Sequence, residues 1–222
     1  MSLSSSNAMK ANMKHLLIFI LAAVLSGVVA TPAYAQKKHS PVVAPLHLST
    51  RALVRKLQRG GYVVYTRHGE RDAFKEPDLP DMNDCRTQDN LTEQGRQQSV
   101  ALGVAFRALR IPVAEVYTGQ FCRNKESATL AFGRDTALPE LNRFDTRVIQ
   151  TIKKLLSTAP PAGTNTLIVN HHQALADASG AKLLAYAESA VFLPDGKGGF
   201  RLLGYLGLDQ LNALARRGGQ QR

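Results

Sequence analysis

The sequence predicts an α/β protein with three layers, an α/β/α sandwich around a largely parallel central sheet. Three apolar runs, at 62–66, 115–118 and 166–169, have the length and composition of buried strands. Segments whose apolar residues recur at helical spacing separate these runs, and this alternation is typical of crossovers between parallel strands. The 222 residues suffice for one domain with a substantial core.

The first half of the chain predicts two helices, each followed by a strand. Apolar residues within 53–57 mark a short helix, which Gly60 and Gly61 end just before the first strand. Thr92 is a suitable N-cap for a longer helix with an apolar stripe. Pro112 then makes the turn into the second strand.

The second half predicts two helices, a third strand, another helical stretch, a hairpin and a final short helix. One helix ends near Gly133, and we expect Asp145 to cap the next. The runs 190–193 and 200–203 flank the turn-forming segment 194–199 and therefore predict a β-hairpin. A short helix should follow near the end of the chain.

The N-terminal region has the features of a secretory signal. Lys10 and Lys14 precede an uncharged apolar run from 16 to 29, and small residues around Ala35 offer a cleavage site. The alternative, a transmembrane anchor, needs a longer apolar run of about 20 residues. We interpret 1–35 as an expression scar plus a signal peptide, and we expect a periplasmic or secreted protein.

The organisation after cleavage is expected to be simple. Residues 36–47 are polar and aperiodic, which is typical of a flexible leader. Regular patterns begin afterwards, so we predict one domain over 48–222. We expect no stable membrane span once the signal is removed, and the sequence does not determine the oligomeric state.

The chain is strongly basic, with a formal net charge of +11. A positive field attracts anions such as phosphate esters or an anionic envelope surface. Nucleic acid is not the expected partner, because no nucleic-acid-binding motif accompanies the charge. His171 and His172 lack the companions of a metal site, so we expect no metal and no cofactor.

Two cysteines, Cys85 and Cys122, are present. In an oxidising compartment two cysteines usually pair, and we predict a disulfide, with two buried thiols as the alternative.

Polar residues follow each of the three predicted strands. Arg67 and His68 end the first strand, Arg123 lies shortly after the second, and His171 ends the third. Ligands of such sheets bind beyond the carboxyl ends of the strands, so these side chains should meet in one crevice. The loop at 72–89 is long enough to form a functional wall of that crevice.

Four ordered segments carry a family resemblance: Thr66–Glu70 (TRHGE), Asn90–Arg96 (NLTEQGR), Phe121–Ala128 (FCRNKESA) and Asn165–His171 (NTLIVNH). In this order and spacing they resemble the histidine phosphatase superfamily, over roughly 61–206. The resemblance implies the phosphoglycerate mutase-like fold.

The resemblance also implies roles for the residues of the crevice. His68 would be the nucleophile and form a phosphohistidine, which water hydrolyses. Arg67 and Arg123 would bind the phosphoryl oxygens, with His171 completing the cradle. Arg71 would add a contact to the phosphate, as the corresponding arginine does in the phytase-like branch of the family. The alternative for Arg71 is a solvated ion pair with Glu70.

The proton donor is the least determined role. The phytase-like branch has an aspartate after the second histidine, where this chain has His172. The mutase-like branch uses a glutamate from another segment. We rank Glu188 first, then Glu140, then His172.

The predicted function is that of a metal-independent phosphomonoesterase acting through His68. The Arg-His-x-Glu-Arg start resembles short exported members such as lipopolysaccharide core heptose phosphatases, which suggests an envelope phosphosugar or lipid phosphate as substrate. The alternatives are an inactive phosphate-binding module of the same fold and a basic surface-binding protein with incidental histidines. The sequence does not identify the physiological substrate.

Overall fold

The computed structural model describes residues 46–72 and 76–219. One mixed sheet lies at its centre, with the strand order β3-β2-β4-β1-β5-β6. The strands are β1 Val63–Arg67, β2 Val113–Thr118, β3 Thr136–Ala137, β4 Asn165–Asn170, β5 Ser189–Pro194 and β6 Phe200–Leu206. The helices are α1 Thr50–Leu57, α2 Glu93–Ala108, α3 Cys122–Phe132, α4 Val148–Ser157, α5 His172–Ser179 and α6 Leu208–Gly219.

Parallel and antiparallel strands are segregated within the sheet. Strands β3, β2, β4 and β1 pair in parallel, and β5 and β6 continue from β1 as an antiparallel hairpin. The register sets Arg67 of β1 opposite Asn170 of β4. Because parallel strands end at the same edge, the residues that follow β1 and β4 are neighbours.

Helices cover both faces of the sheet. Helices α1, α2, α3 and α6 pack on one face, and α4 and α5 pack on the other. Strand β1 shows the alternation that this requires, because Val64 faces the first group whereas Val63 and Tyr65 face the second. The predicted three-layer α/β sandwich with a largely parallel sheet is therefore confirmed.

Local signals account for several element ends. The Thr92 hydroxyl accepts the Gly95 amide hydrogen and so caps α2 as predicted. Helices α3 and α5 end at Gly133 and Gly180, which adopt left-handed backbone with φ of 71° and 70°. The hairpin of β5 and β6 was also predicted correctly.

Three details differ from the sequence-based expectations. Asp145 is not the cap of α4: the helix follows Arg147, and the Asp145 carboxylate accepts the Arg147 amide hydrogen instead. The short strand β3 was not predicted, because two exposed residues give no apolar pattern. At the end of the expected leader, the Leu46 amide donates to the Leu202 carbonyl of β6 at 3.2 Å, a contact that the sequence did not predict.

The expected signal peptide at 1–35 lies outside the described residues, as does most of the leader. Within 46–72 and 76–219, no helix has both the length and the hydropathy required to cross a bilayer.

Candidate active site

A cavity of about 400 Å³ opens where β1 and β4 end. Arg67 is the last residue of β1 and His68 follows it, whereas His171 follows β4 directly. Arg123 reaches the same cavity from the first turn of α3, which follows β2. The lining residues are Arg67, His68, Arg71, Arg123, Arg143, Phe144, Val148, Ile149, His171, His172, Gln173, Ala174 and Asp177.

His68 is buried at the base of this cavity, with 3% of its surface exposed. Its Nδ1 lies 2.7 Å from the Gly69 carbonyl oxygen, which can only accept, so Nδ1 carries the proton and Nε2 keeps its lone pair. Burial, with the nearby positive charge of Arg123, lowers the pKa of His68 to about 3. His68 is therefore a neutral imidazole with a free nitrogen at ordinary pH.

Gly69 is required at its position by close packing. A Cβ at Gly69 would collide with the backbone carbonyl of Gly95 in α2. The absence of a side chain lets the segment after β1 approach the start of α2, which fixes the backbone that follows His68.

His171 stands edge-on to His68, with ring centroids 5.3 Å apart. The Tyr65 hydroxyl donates to the His171 carbonyl at 2.8 Å, and the Phe121 ring packs at 4.9 Å. Burial and then the neighbouring His68 hold the pKa of His171 well below its usual value. Its Nε2 is buried and has no hydrogen-bond partner among the described residues.

Arg67 is held against a tight turn that precedes β5. Its Nη1 donates to the Leu184 carbonyl at 2.9 Å, and its guanidinium carbon lies 3.7 Å from the centroid of the Tyr186 ring. Ala187 in this turn has a φ of 54°, and its amide bonds back to the carbonyls of Arg67 and His68. The Arg67 Nε is buried without a partner in the described chain.

Arg123 is almost fully buried and contacts an acid from the loop after β1. Its Nη1 donates to Glu76 and to the Asp89 carbonyl, both at 2.9 Å, and its Nη2 donates to Glu76 at 3.2 Å. Arg143 binds the same Glu76 carboxylate at 2.6 Å. The Nε of Arg123 has no partner among the described residues.

Arg71 also lines the cavity and is paired with an acid. It forms an ion pair with Asp89, whose side chain is 4% exposed. The alternative partner considered from sequence, Glu70, instead accepts the Thr92 hydroxyl hydrogen at 3.2 Å. Arg71 therefore belongs to the cavity wall, with its Nη1 engaged by Asp89 and by the Asp72 carbonyl.

The three candidates for the proton donor occupy different places. Glu188 lies in a separate cavity, where it binds Lys182 at 2.6 Å. Glu140 is 3.8 Å from Arg147 and does not line the cavity of His68. His172 does line it, and its Nδ1 lies 3.0 Å from the Leu184 carbonyl.

The environment of His172 lowers its basicity. Burial, followed by the charge of Arg67, lowers the pKa of His172. The Leu184 carbonyl can only accept a hydrogen bond, so Nε2 of His172 is the nitrogen available to the cavity's contents.

Cys85 and Cys122 form the predicted disulfide, with a Cα–Cα distance of 5.8 Å. The bond ties the loop at 76–89 to the first residue of α3, directly before Arg123. The Gln88 side chain reinforces the link, because its oxygen accepts the Cys122 amide hydrogen at 2.8 Å. The loop is therefore held against Arg123, although none of its residues from 76 to 89 lines the cavity.

Three residues at the site were not predicted: Arg143 lines the cavity, Glu76 binds Arg123, and Tyr186 packs against Arg67. Glu76 lay within the loop that the sequence marked as a functional wall, but nothing singled out this acid. Arg143 and Tyr186 lie in segments without a motif. Long-range contacts bring all three to the site, and local patterns do not report such contacts.

The described residues contain no group of three or more histidine, cysteine, aspartate or glutamate side chains arranged to hold a metal ion. What the cavity does offer is a neutral imidazole surrounded by arginines. This arrangement suits a nucleophile facing a phosphoryl group.

No protein-family model matches the chain, and no curated protein matches it. Solved structures, in contrast, do match the chain. The protein histidine phosphatase SixA complexed with tungstate aligns with a TM-score of 0.52 and 15% identity, over 68% of this chain and 99% of that chain.

Two further solved structures are similar. The alpha-ribazole phosphatase from Shigella flexneri has a TM-score of 0.46 and 16% identity, over 66% of this chain and 96% of that chain. The phosphoserine phosphatase from Entamoeba histolytica, in complex with 3-phosphoglyceric acid, has a TM-score of 0.46 and 13% identity, over 68% of this chain and 98% of that chain.

At these identities the likeness is one of fold. The likeness to SixA confirms the fold that the sequence predicted from its resemblance to the histidine phosphatase superfamily, which is the phosphoglycerate mutase-like fold. The chemistry of the protein depends on the residues of its site.

Proposed function

We propose that this protein is a metal-independent phosphomonoesterase that forms a phosphohistidine on His68. One observation carries the proposal: three buried nitrogens without partners in the described chain belong to residues that line the cavity of a neutral His68. They are the Nε of Arg67, the Nε of Arg123 and the Nε2 of His171. An unpaired buried donor costs about 1–3 kcal/mol, which a bound phosphate would recover.

The first chemical step follows from the atoms available. The lone pair on His68 Nε2 attacks phosphorus, the bond to the leaving oxygen breaks, and that oxygen takes up a proton. Arg67, Arg123 and His171 stabilise the negative charge on the transferring group. In the second step water attacks phosphorus, the P–N bond breaks, and phosphate is released with His68 restored.

We propose His172 as the group that transfers the proton. Of the three candidates from the sequence, it is the one that lines the cavity. A bound phosphate dianion favours the protonated form of a neighbouring histidine and so opposes the lowering of its pKa by burial. His172 Nε2 would then donate to the leaving oxygen and later accept a proton from water.

The proposed substrate is a phosphate ester of the bacterial envelope, such as a phosphosugar or a lipid phosphate. The basic charge of the chain supports an anionic partner. A leaving group with some apolar surface is supported by three apolar lining residues of the cavity, Phe144, Val148 and Ile149. We propose a periplasmic location on the basis of the N-terminal sequence.

An inactive phosphate-binding module is the second candidate, and one observation favours it. Among the described lining residues the one carboxylate is Asp177, which accepts a hydrogen bond from Gln173 at 2.9 Å. Such a module would bind phosphate but release none from an ester.

Hydrolysis of p-nitrophenyl phosphate in the presence of a chelator tests the proposal. We expect turnover by the protein, loss of turnover in His68→Ala, and unchanged turnover in His47→Ala, which alters a histidine outside this cavity. Phosphate binding without turnover by the folded protein would favour the binding module instead.

A further inference from the structure

Glu76 makes more contacts at the site than any other acid described there. Its carboxylate accepts from both terminal nitrogens of Arg123 and from the amide of Asp89 at 3.0 Å, and it forms an ion pair with Arg143 at 2.6 Å. The side chain is 6% exposed. A carboxylate with this many charged donors is strongly held, because charge-assisted hydrogen bonds are about twice as strong as neutral ones.

The donors of Arg123 show what this contact achieves. A guanidinium has five N–H groups. Glu76 occupies the end of the planar group through Nη1 and Nη2, and the Asp89 carbonyl takes the other Nη1 hydrogen. What remains is the Nε hydrogen and one Nη2 hydrogen on the same edge, a fork that matches two oxygens of a phosphate.

Arg143 is held beside Arg123 by the same acid. Its guanidinium carbon lies 4.5 Å from the Phe144 ring centroid and 5.2 Å from that of Phe121, and its side chain is 38% exposed at the rim. Arg123 and Arg143 bind the same carboxylate, and two neighbouring guanidinium groups repel each other unless an anion lies between them. Glu76 supplies that anion.

We propose that Glu76 is a positioning residue, which turns the free edge of Arg123 to the phosphoryl group and holds Arg143 at the rim to contact the leaving group. Arg143 is thereby a specificity residue that favours leaving groups with polar or anionic substituents. This inference rests on the proposed function and deepens it. The opposite hypothesis is that Glu76 competes with phosphate for the two arginines.

Binding of inorganic phosphate, measured by isothermal titration calorimetry, separates the two hypotheses without requiring turnover. We expect Glu76→Gln to weaken phosphate binding about tenfold or more, because a neutral amide forms no ion pair with Arg143 and has one oxygen instead of two to accept from Arg123. Asp177→Asn is the control: it removes a carboxylate that lines the cavity and contacts neither arginine, and it should not weaken binding.

Glu76→Asp provides a second variant with the charge retained and the reach shortened. We expect it to bind phosphate with an affinity between those of the wild type and Glu76→Gln, and it keeps the test valid if Glu76→Gln does not fold. Kinetics add a readout that a purely structural role would not change. Relative to the wild type, Arg143→Gln should raise KM for esters with an anionic leaving group more than it raises KM for p-nitrophenyl phosphate.

Equal or tighter phosphate binding by folded Glu76→Gln would overturn the proposal, as would a wild-type protein that binds no phosphate. If the wild type binds phosphate but hydrolyses no ester, the proposed function fails while the positioning role stands. If the wild type is active and Glu76→Gln retains its phosphate affinity, the positioning role alone fails.

Discussion

At the scale of single residues, the sequence predicted the centre of the site better than its surroundings. Arg67, His68, Arg123 and His171 were singled out because each follows a strand, and they do meet in one cavity; their catalytic roles stay predictions. Glu188 was ranked first as proton donor, but its side chain pairs with Lys182 elsewhere. A lone carboxylate gives no sequence signal of the direction in which it will point.

His172 should matter most for leaving groups that need a proton. Nitrophenolate leaves readily without one, whereas an alkoxide does not. We expect His172→Asn to reduce turnover of an alkyl phosphate by about 10²-fold or more, and that of p-nitrophenyl phosphate much less. Glu188→Gln serves as the control and should affect neither substrate; equal losses for both substrates in His172→Asn would argue against proton transfer.

His68 should remain neutral in the ligand-free protein across the pH range in which free histidine titrates. Burial and Arg123 lower its pKa to about 3, so protonation is confined to strongly acidic solution. Ring signals in an NMR titration, assigned with His68→Asn, should not move between about pH 8 and about pH 5. A midpoint near the ordinary value would contradict the buried, cation-flanked environment.

At the scale of elements, the spacing of apolar residues predicted the main strands and helices. It did not predict the contacts of the loop after β1. The loop's contacts with α3 depend on the Cys85–Cys122 bond, the Gln88 side chain and Glu76, which are far apart in sequence. The sequence predicted the bond from the expected compartment. It could not predict that the bond would hold an acid against Arg123.

Removal of the disulfide should impair the site and lower stability. In the chain-entropy model, a loop closed over a sequence separation of 37 contributes about 4 kcal/mol to the free energy of unfolding. We expect Cys85→Ser with Cys122→Ser to weaken phosphate binding at a temperature where the fold persists, because Glu76 and Asp89 lie in the released loop. Calorimetric phosphate binding and urea unfolding measure the two effects; unchanged phosphate affinity would show that the loop does not depend on the bond.

At the scale of the whole molecule, the layered architecture followed from the alternation of elements. The apolar faces of the helices and the two-sided burial of β1 and β4 leave few other arrangements. The order of strands did not follow from the sequence, because β2 and β4 are neighbours although α3, β3 and α4 lie between them. Pairings over such distances depend on the complete core.

Two buried neutral histidines should make the whole fold sensitive to acid. The pKa values of His68 and His171 are lowered in the folded state, so below about pH 6.5 the unfolded chain binds protons that the native state does not. The free energy of unfolding should fall as pH falls, by about 1.4 kcal/mol per pH unit for each histidine, until His68 itself protonates near pH 3.

Urea unfolding between about pH 6 and about pH 4 measures this dependence. In His68→Asn, the free energy of unfolding should change less steeply with pH, because one of the two buried histidines no longer contributes. An unchanged slope in that variant would indicate that His68 is protonated in the native state.

The most direct test of the central claim is to trap the phosphoenzyme. The protein would be mixed with p-nitrophenyl phosphate, quenched in alkali, where phosphohistidine survives, and digested for mass spectrometry. We predict a phosphoryl group on the peptide that contains His68, its absence in His68→Ala, and its loss on acid treatment. Turnover by a folded protein whose label is found on another residue, or on none, would contradict a phosphohistidine mechanism at His68.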